Sequence, residues 1–387
     1  MAAILRCAPI SRASLAKQTG LSKQTISEIV SQLEDDGFVT ETGRTSGHIG
    51  RTAITYEVNP RAAFIIAVDL GGTKLRVALC DLACRTLAEE VAPTDKRGKL
   101  HVVEQIVGLA RQATRTAAVN TDRIRLAVVA VPGAPRPGSG QVVLAPNIPG
   151  FEEIDIGQAI SARLGVEVVL ENDVNLAAFG EHWLGAGRNV DDLVYIALGT
   201  GLGAGIMIGG DLVRGATGAA GELGYLPFGS DPFSAEARRV GALERRVGTV
   251  GIERRFRDLA GHAASVPRIF DLAAAGDASA GAVLDDTATV MARAVAAICA
   301  IVDPVRVLLG GGIGGREEIV SRVREILPGC MARPPQVEAG QLGANATIVG
   351  ATAIGLGLLH KSLFGAPVAT TGISLPPADQ VIAGVAE

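Results

Sequence analysis

Read for the spacing of its apolar positions, the chain changes texture near residue 60. Before that point, ISRASLAKQTGLSKQTISEIVSQLEDDGFVTETG (10–43) predicts two helices joined by a tight turn. Ser11 is placed to cap the first helix, Leu15 and Ala16 face inward, and Gly20 suits a left-handed end. Ser22 caps the second helix, where Ile26, Ile29, Val30 and Leu33 recur at i, i+3, i+4 and i+7 and predict one apolar stripe. After Gly37 the alternation in FVTETGRTSGHIGRTAITYEVN (38–59) predicts a two-stranded hairpin with a glycine-rich tip.

From Phe64 onward, short apolar runs are broken by glycine turns. FIIAVDLGGTKLRVALCDL (64–82) predicts a strand over 65–69, a Gly71-Gly72-Thr73 turn and a strand over 75–80. DLVYIALGTGLGAGIMIGG (192–210) repeats the pattern around Gly199, Thr200, Gly201 and Gly203, which suggests two similar lobes that close on a nucleotide. A third cluster, VRVLLGGGIGG (305–315), follows a buried-looking strand and leads into a helix from Arg316. In VEVVLENDVNLAAFGEHWLG (166–185), Val166 to Leu170 reads as a strand and Asn175 onward as a helix. The Ala-rich stretch over 281–304 reads as a buried helix between lobes, and periodicity is lost beyond about Gly365.

Composition narrows this to an α/β protein with tight turns: 48% hydrophobic residues, 3% aromatic and 49 glycines. A length of 387 residues suits two or three domains. No uninterrupted run of about 20 apolar residues is seen, and no signal-peptide pattern, so a cytoplasmic protein is expected. The five cysteines (7, 80, 84, 299, 330) lack disulfide or zinc spacing and read as reduced thiols.

The net charge of −4 excludes a nucleic-acid coat over the whole surface but not a local patch. Up to Ser27 the bases Arg6, Arg12, Lys17 and Lys23 meet no acid, whereas Glu28, Glu34, Asp35 and Asp36 come later, where they are expected to point away from DNA. Lys23, Gln24, Thr25 and Ser27 sit on the first turns of the second helix, as a major-groove reader requires, and Arg44, His48 and Arg51 line the hairpin tip.

In the larger part, paired glycines let the backbone approach a phosphate and aim N–H groups at it: Gly71, Gly72 with the Thr73 hydroxyl, then Gly199, Thr200 and Gly201. Gly311 and Gly312 are expected to flatten against an adenine or ribose, and Asp69 is placed to hold Mg²⁺ through water. Asp173 can take a proton from a substrate hydroxyl and Asn172 can orient its neighbour, although an Asn-Asp helix cap accounts for the same residues. Asn147 lies on a Pro/Gly-rich loop with its amide free to bind, and the Glu222 carboxylate, in GATGAAGELGYLPFG, can accept two hydroxyl hydrogen bonds.

With these motifs in place the chain resembles the ROK family, which groups sugar kinases with sugar-responsive repressors, and its repressor branch in particular. The likeness runs from Ile10 to about Leu363 through DLGGT (69–73) with the closing Asp81, APN (145–147), END (171–173), GTGLGAG (199–205), GELG (221–224) and GGGI (310–313). It implies a winged helix-turn-helix over residues 1–60, a two-lobed actin-like ATPase (ribonuclease-H-like) sugar kinase fold over 64–365 and a loose tail over 366–387. It places Asp173 where the kinases keep their general base, and Asn147, Asn172, Asp173 and Glu222 where family members hold sugar. Family members usually continue with a zinc-binding histidine and a Cys-rich run. Here Tyr225 takes the histidine position beside the sugar, and residues 226–244 contain no cysteine. Zinc is therefore expected to be absent, with apolar contacts by Leu226, Phe228 and Phe233 packing the loop.

The resemblance implies a DNA-binding regulator, a repressor, that answers to a sugar or sugar phosphate. Its implied partners are operator DNA and a second copy of the chain in a homodimer or higher homo-oligomer, with no membrane. The alternative is an ATP- and Mg²⁺-dependent sugar kinase, since the DLGGT and GTG turns are intact.

Overall fold

The computed structural model describes residues 2–45, 53–136, 138–145 and 148–364. The N-terminal module runs α1 (Ala2–Cys7), β1 (Ile10–Ser11), α2 (Arg12–Thr19), α3 (Lys23–Asp35), β2 (Val39–Thr45) and β3 (Ala53–Val58), with strand order β1-β3-β2. The two expected caps are made. The Ser11 hydroxyl accepts from the Ser14 N–H at 3.2 Å and the Ser22 hydroxyl from the Thr25 N–H at 3.1 Å, each worth about 1 kcal/mol. Gly20 ends α2 at φ 73°, where a side chain would be strained.

The module has its own core of Ile4, Ile10, Leu15, Ile26, Val30, Val39 and Tyr56. Two features depart from expectation. Helix α1, too short to carry a legible period, supplies Ile4 to that core. Ile29 is 41% exposed, so the buried stripe of α3 narrows to Ile26 and Val30, with Leu33 packed against it. A module with so few covering elements buries only the centre of the stripe.

The described chain divides into two compact units: one, which includes the N-terminal module, of residues up to 129, 156–170 and from 351, the other of 130–155 and 171–350. The first contains β4 (Phe64–Leu70), β5 (Lys74–Asp81), β6 (Thr86–Pro93), α4 (Lys99–Thr116) and most of β7 (Ile124–Val131). After the short hairpin of β8 (Ala134–Pro135) and β9 (Val142–Val143), α5 (Ile156–Leu164) and β10 (Glu167–Asn172) complete a sheet of order β10-β7-β4-β5-β6. The strands β4 and β7 are buried along nearly their whole length, as expected of a sheet covered on both faces.

The second unit contains α6 (Asp173–Leu184), β11 (Leu193–Leu198), β12 (Leu202–Ile208) and β13 (Asp211–Leu212). It continues through α7 (Ala235–Val240), α8 (Glu244–Val247), α9 (Thr249–Ala260), α10 (Val266–Ala274) and α11 (Ala278–Val302). Then come β14 (Arg306–Gly310), α12 (Gly311–Gly314), α13 (Glu317–Ile326) and β15 (Gln336–Ala339), before α14 (Ala346–Phe364). Its sheet has the order β13-β12-β11-β14-β15, with β11-β12 antiparallel and β11-β14-β15 parallel. Counted within each sheet, both orders read third, second, first, fourth, fifth. The repeat suggested by the two glycine hairpins is thus a repeat of whole sheets.

Helix α11 is buried as expected and belongs to the core of the second unit, where Val283, Leu284, Met291 and Val295 pack with Phe256, Phe270, Val320 and Val323. The END strand runs on through Asn172 and the following helix starts at Asp173, two residues earlier than the apolar pattern suggested, because the Asn172 side chain caps it. Finally, Gly343–Ser362 is long and apolar enough by length and composition to cross a membrane, although 61% of its window is buried inside the fold. Its Ile, Leu, Val and Ala residues raise the average, while Asn345, Thr347 and Thr352 interrupt the run, so no uninterrupted apolar span is present there.

Leu15 is 3% exposed in a core of only seven buried residues. Leu15→Ala is expected to destabilise the module by about 2–5 kcal/mol. The single tryptophan, Trp183, lies in α6 of the second unit. On heating, the variant should lose part of its far-ultraviolet circular dichroism early while the fluorescence transition of Trp183 stays in place; coincident shifts would refute an independent module core.

Candidate functional site

In the N-terminal module α3 exposes Lys23 and Gln24. Gln24 donates to Glu28 one turn on at 3.2 Å, so Glu28 shares the exposed face instead of pointing away from it. The other candidates are engaged within the module. The Thr25 and Ser22 hydroxyls lie 2.8 Å apart. Arg12 donates to the Ser27 hydroxyl at 2.9 Å, meets the Glu34 carboxylate at 3.5 Å and places its guanidinium 5.0 Å from the Tyr56 ring centroid. Arg44 stands opposite Ile54 in the β2-β3 ladder. Its side chain, with His48 and Arg51, lies outside the described residues.

In the first unit the Gly71-Gly72-Thr73 turn joins β4 to β5. The Gly71 N–H closes the turn on the Lys74 carbonyl at 2.9 Å, and Thr94 ties it from the side by donating to the Gly71 carbonyl at 2.6 Å. No backbone hydrogen bond among the described residues takes the N–H of Gly72 or Thr73. Asp69 stands opposite Arg76 on β5; burial pushes its carboxyl up, against the pull of Arg76 and Lys74.

In the second unit the Gly199-Thr200-Gly201 turn has the same build. The Gly199 N–H bonds the Gly201 carbonyl at 3.0 Å, and the N–H groups of Thr200 and Gly201 donate to no backbone acceptor among the described residues. The third cluster has a structural reason for its glycines. Gly311 is at φ 77°, and a Cβ there would stand 2.4 Å from the Leu198 carbonyl; one on Gly310 would meet the Tyr195 hydroxyl. Only Gly312 faces open space.

The END segment is a knot of hydrogen bonds. The Asn172 side-chain oxygen accepts from the Val174 and Asn175 N–H groups at 2.9 and 3.0 Å, and its amide nitrogen donates to the Gly133 carbonyl at 2.9 Å. The Asn-Asp cap is therefore real, and it places Asp173 at the first position of α6, where the amide ends of the helix favour a carboxylate. Glu171, buried beneath, accepts from the Asn172 N–H and the Asn175 amide and pairs with the Arg214 guanidinium at 2.6 Å. Arg214 sits on the loop that carries Glu222.

That loop depends on Gly221: φ is 86° and a Cβ would lie 1.8 Å from the Ala204 carbonyl. Glu222 is held close to the sheet, and burial, then the neighbouring Glu244, push its carboxyl up to about 7. Burial also raises Glu244, partly offset by the Leu202 N–H that donates to it at 2.9 Å. The result is a proton-poised acidic pair able to accept hydrogen bonds from hydroxyls. Tyr225 turns its hydroxyl to the Arg239 carbonyl at 3.0 Å, and Asn147 lies outside the described residues.

Sequence reasoning placed Glu171 at a strand end suited to ligand groups but gave it no role, and missed Arg214 and Glu244 as functional candidates. Glu171 opens the END motif, but the bonds of Arg214 to Glu171 and of Leu202 to Glu244 join residues 43 and 42 positions apart, with no local signal. Residues 225–244 contain neither histidine nor cysteine, and among the described residues no group of three or more His, Cys, Asp or Glu is placed to hold a metal ion. The donor set does not fit the family's zinc. Leu226 and Phe228 pack on the core as expected, but Phe233 is 86% exposed. The loop is held instead by Tyr225 on Arg239, the Ser230 hydroxyl on the Ala242 carbonyl at 2.7 Å, and Arg245 on the Ser234 hydroxyl at 2.9 Å.

Residues 65–357 match the ROK family, and residues 1–40 match a winged helix-turn-helix DNA-binding family. The xylose repressor of Caldicellulosiruptor bescii is 30% identical over 236 residues, 61% of this chain and 59% of the repressor, so the match spans less than two thirds of that curated relative. Among solved structures, a ROK hexokinase from Thermus thermophilus superposes with a TM-score of 0.64 at 30% identity, over 74% of this chain and 96% of the hexokinase. A ROK family transcriptional regulator, homologous to the E. coli MLC protein, shares the fold over 99% of this chain and 97% of its own, with a TM-score of 0.74 at 22% identity. The motifs, the repeated sheet order and these matches agree: the chain belongs to the ROK family and carries an N-terminal winged helix-turn-helix.

Proposed function

We propose that the protein is a sugar-responsive DNA-binding repressor that acts in the cytoplasm as a homodimer on a two-half-site operator. The observation that carries the reading is the union in one chain of a winged module that exposes Lys23 and Gln24 with a ROK domain whose Glu222–Glu244 pair suits a polyol. Lys23 and Gln24 would contact the operator, while Asp173, Glu222 and Glu244 accept hydroxyl hydrogen bonds from a sugar or sugar phosphate. Asn172 and Tyr225 shape that site through their backbone bonds. A xylose repressor and sugar kinases among the relatives support a monosaccharide effector.

The second reading, a sugar kinase, is favoured by one observation: two Gly-Thr turns each leave two backbone N–H groups without a backbone acceptor. Each turn by itself offers N–H groups suited to a phosphate, and Asp69 a carboxylate suited to Mg²⁺, the groups that phosphoryl transfer uses. Asp173 would accept the proton of the attacking hydroxyl. Zinc has no part in either reading.

In fluorescence anisotropy the chain is expected to bind a duplex from upstream of its own coding region, and one of xylose, glucose or their phosphates should weaken that binding by about 5- to 150-fold, the usual range of allosteric coupling. Absence of binding at low salt would sink the repressor. Should ATP turnover be found with any sugar, Asp173→Asn is expected to abolish it and leave operator binding intact.

The raised Glu222 carboxyl fixes a pH dependence. The ionised form is the stronger acceptor, so effector affinity should fall below pH 7, by up to about tenfold per pH unit. For stability the sign is opposite. The folded state holds the Glu222 proton more tightly than the unfolded one, so this contribution is present below the unfolded value and is lost as pH rises through about 7. Glu222→Gln should flatten both profiles, measured by calorimetric titration and by thermal unfolding from pH 5 to 8.

A further inference from the structure

Arg12 has the charge and position of a phosphate contact, yet its guanidinium is turned into the module. It starts α2, donates to Ser27 in the second turn of α3, meets Glu34 two turns further along, and lies over the ring of Tyr56, which is 1% exposed on β3. Its Nε is buried without a hydrogen-bond partner, so that edge of the fork is closed to solvent. Strand β3 is also the centre of the small sheet, paired with β1 at Ile10↔Tyr56 and with β2, which leads to the wing. One planar group therefore touches the first helix, the reading helix and the root of the wing.

We propose that Arg12 is a positioning residue for operator recognition: it sets the angle of α3 against the wing and makes no phosphate contact of its own. The inference rests on the DNA-binding reading above and sharpens it. A reading helix specifies sequence only if Gln24 and Glu28 reach base edges while the wing meets its own groove. Two elements joined by a core this small can rock against each other. A guanidinium that stacks on one and hydrogen-bonds to the other opposes that motion, and lysine, a point charge without a planar fork, is no substitute.

The two roles differ in measurable ways. Each phosphate contact adds about 0.9 to the slope of log affinity against log salt, for any sequence. A positioning residue changes affinity for the specific site alone. Anisotropy would be measured across a salt series with the full-length chain on the duplex from upstream of its own coding region and on a random duplex of equal length.

Arg12→Ala and Arg12→Lys are both expected to lose about tenfold on the specific duplex, with little change on the random one and an unchanged slope. Lys23→Ala is the contrast and should weaken both duplexes and lower the slope by about 0.9. Glu34→Ala gives a test of sign. It makes the module more positive, so plain electrostatics calls for tighter binding, whereas loss of the tether calls for specific binding weaker by about threefold.

Circular dichroism would check that each variant is folded, and the half-exposed Glu34 carries the test if Arg12→Ala is not. The proposal is overturned if Arg12→Lys restores wild-type binding, if Arg12→Ala lowers the slope by about 0.9, if Glu34→Ala tightens binding, or if none of the three has an effect. Failure of the unaltered chain to bind either duplex at low salt overturns the DNA-binding reading itself, a result separate from all of these.

Discussion

A buried carboxylate governs the candidate effector site. Glu171 stands at the junction of β10 and α6, and its two oxygens take the Asn172 N–H, the Asn175 amide and the Arg214 guanidinium. An unpaired charge in that position would cost several kcal/mol, so the junction is held to one geometry. From it follow the capped start of α6, the place of Asp173 on the first helical turn, and the anchoring of the loop that carries Glu222. Because Arg214 is half exposed, the pair also sits where a change in the site can be felt by the loop.

The second unit then combines two opposed demands. Gly221 brings the loop so close to the Ala204 carbonyl that Glu222 is forced beside Glu244 with little water to share. Such a pair is unfavourable in isolation and suits a ligand that brings hydroxyl donors. The same loop lacks the ligands for the zinc its family usually carries there, and backbone-directed bonds from Tyr225, Ser230 and Ser234 do the holding. Tyr225 is thus a structural tie as well as a neighbour of the acidic pair.

Much of this was legible in the chain because it is local. A cap needs a hydroxyl three residues before the N–H it takes, and Ser11 and Ser22 have that spacing. A strand–turn–strand needs apolar runs flanking glycines, and both hairpins have them. Where a signal was too short it was not legible: α1 has six residues. Ile29 and Phe233 were misplaced because apolar character says that a side chain can be buried, not that the fold has a surface to bury it.

The sequence by itself determined the elements, their caps and turns, the two glycine hairpins and the family. Each of these depends on residues within a few positions of one another. Tertiary structure alone decided that Arg12 and Ser27 bind each other, that the Asn172 amide reaches Gly133, and that Glu171 meets Arg214 and Leu202 meets Glu244 across more than 40 positions. Long polar side chains have many partners open to them along an unfolded chain. Which one each takes is set by the packing of the sheets and helices that bring them together, and no spacing rule in the sequence carries that information.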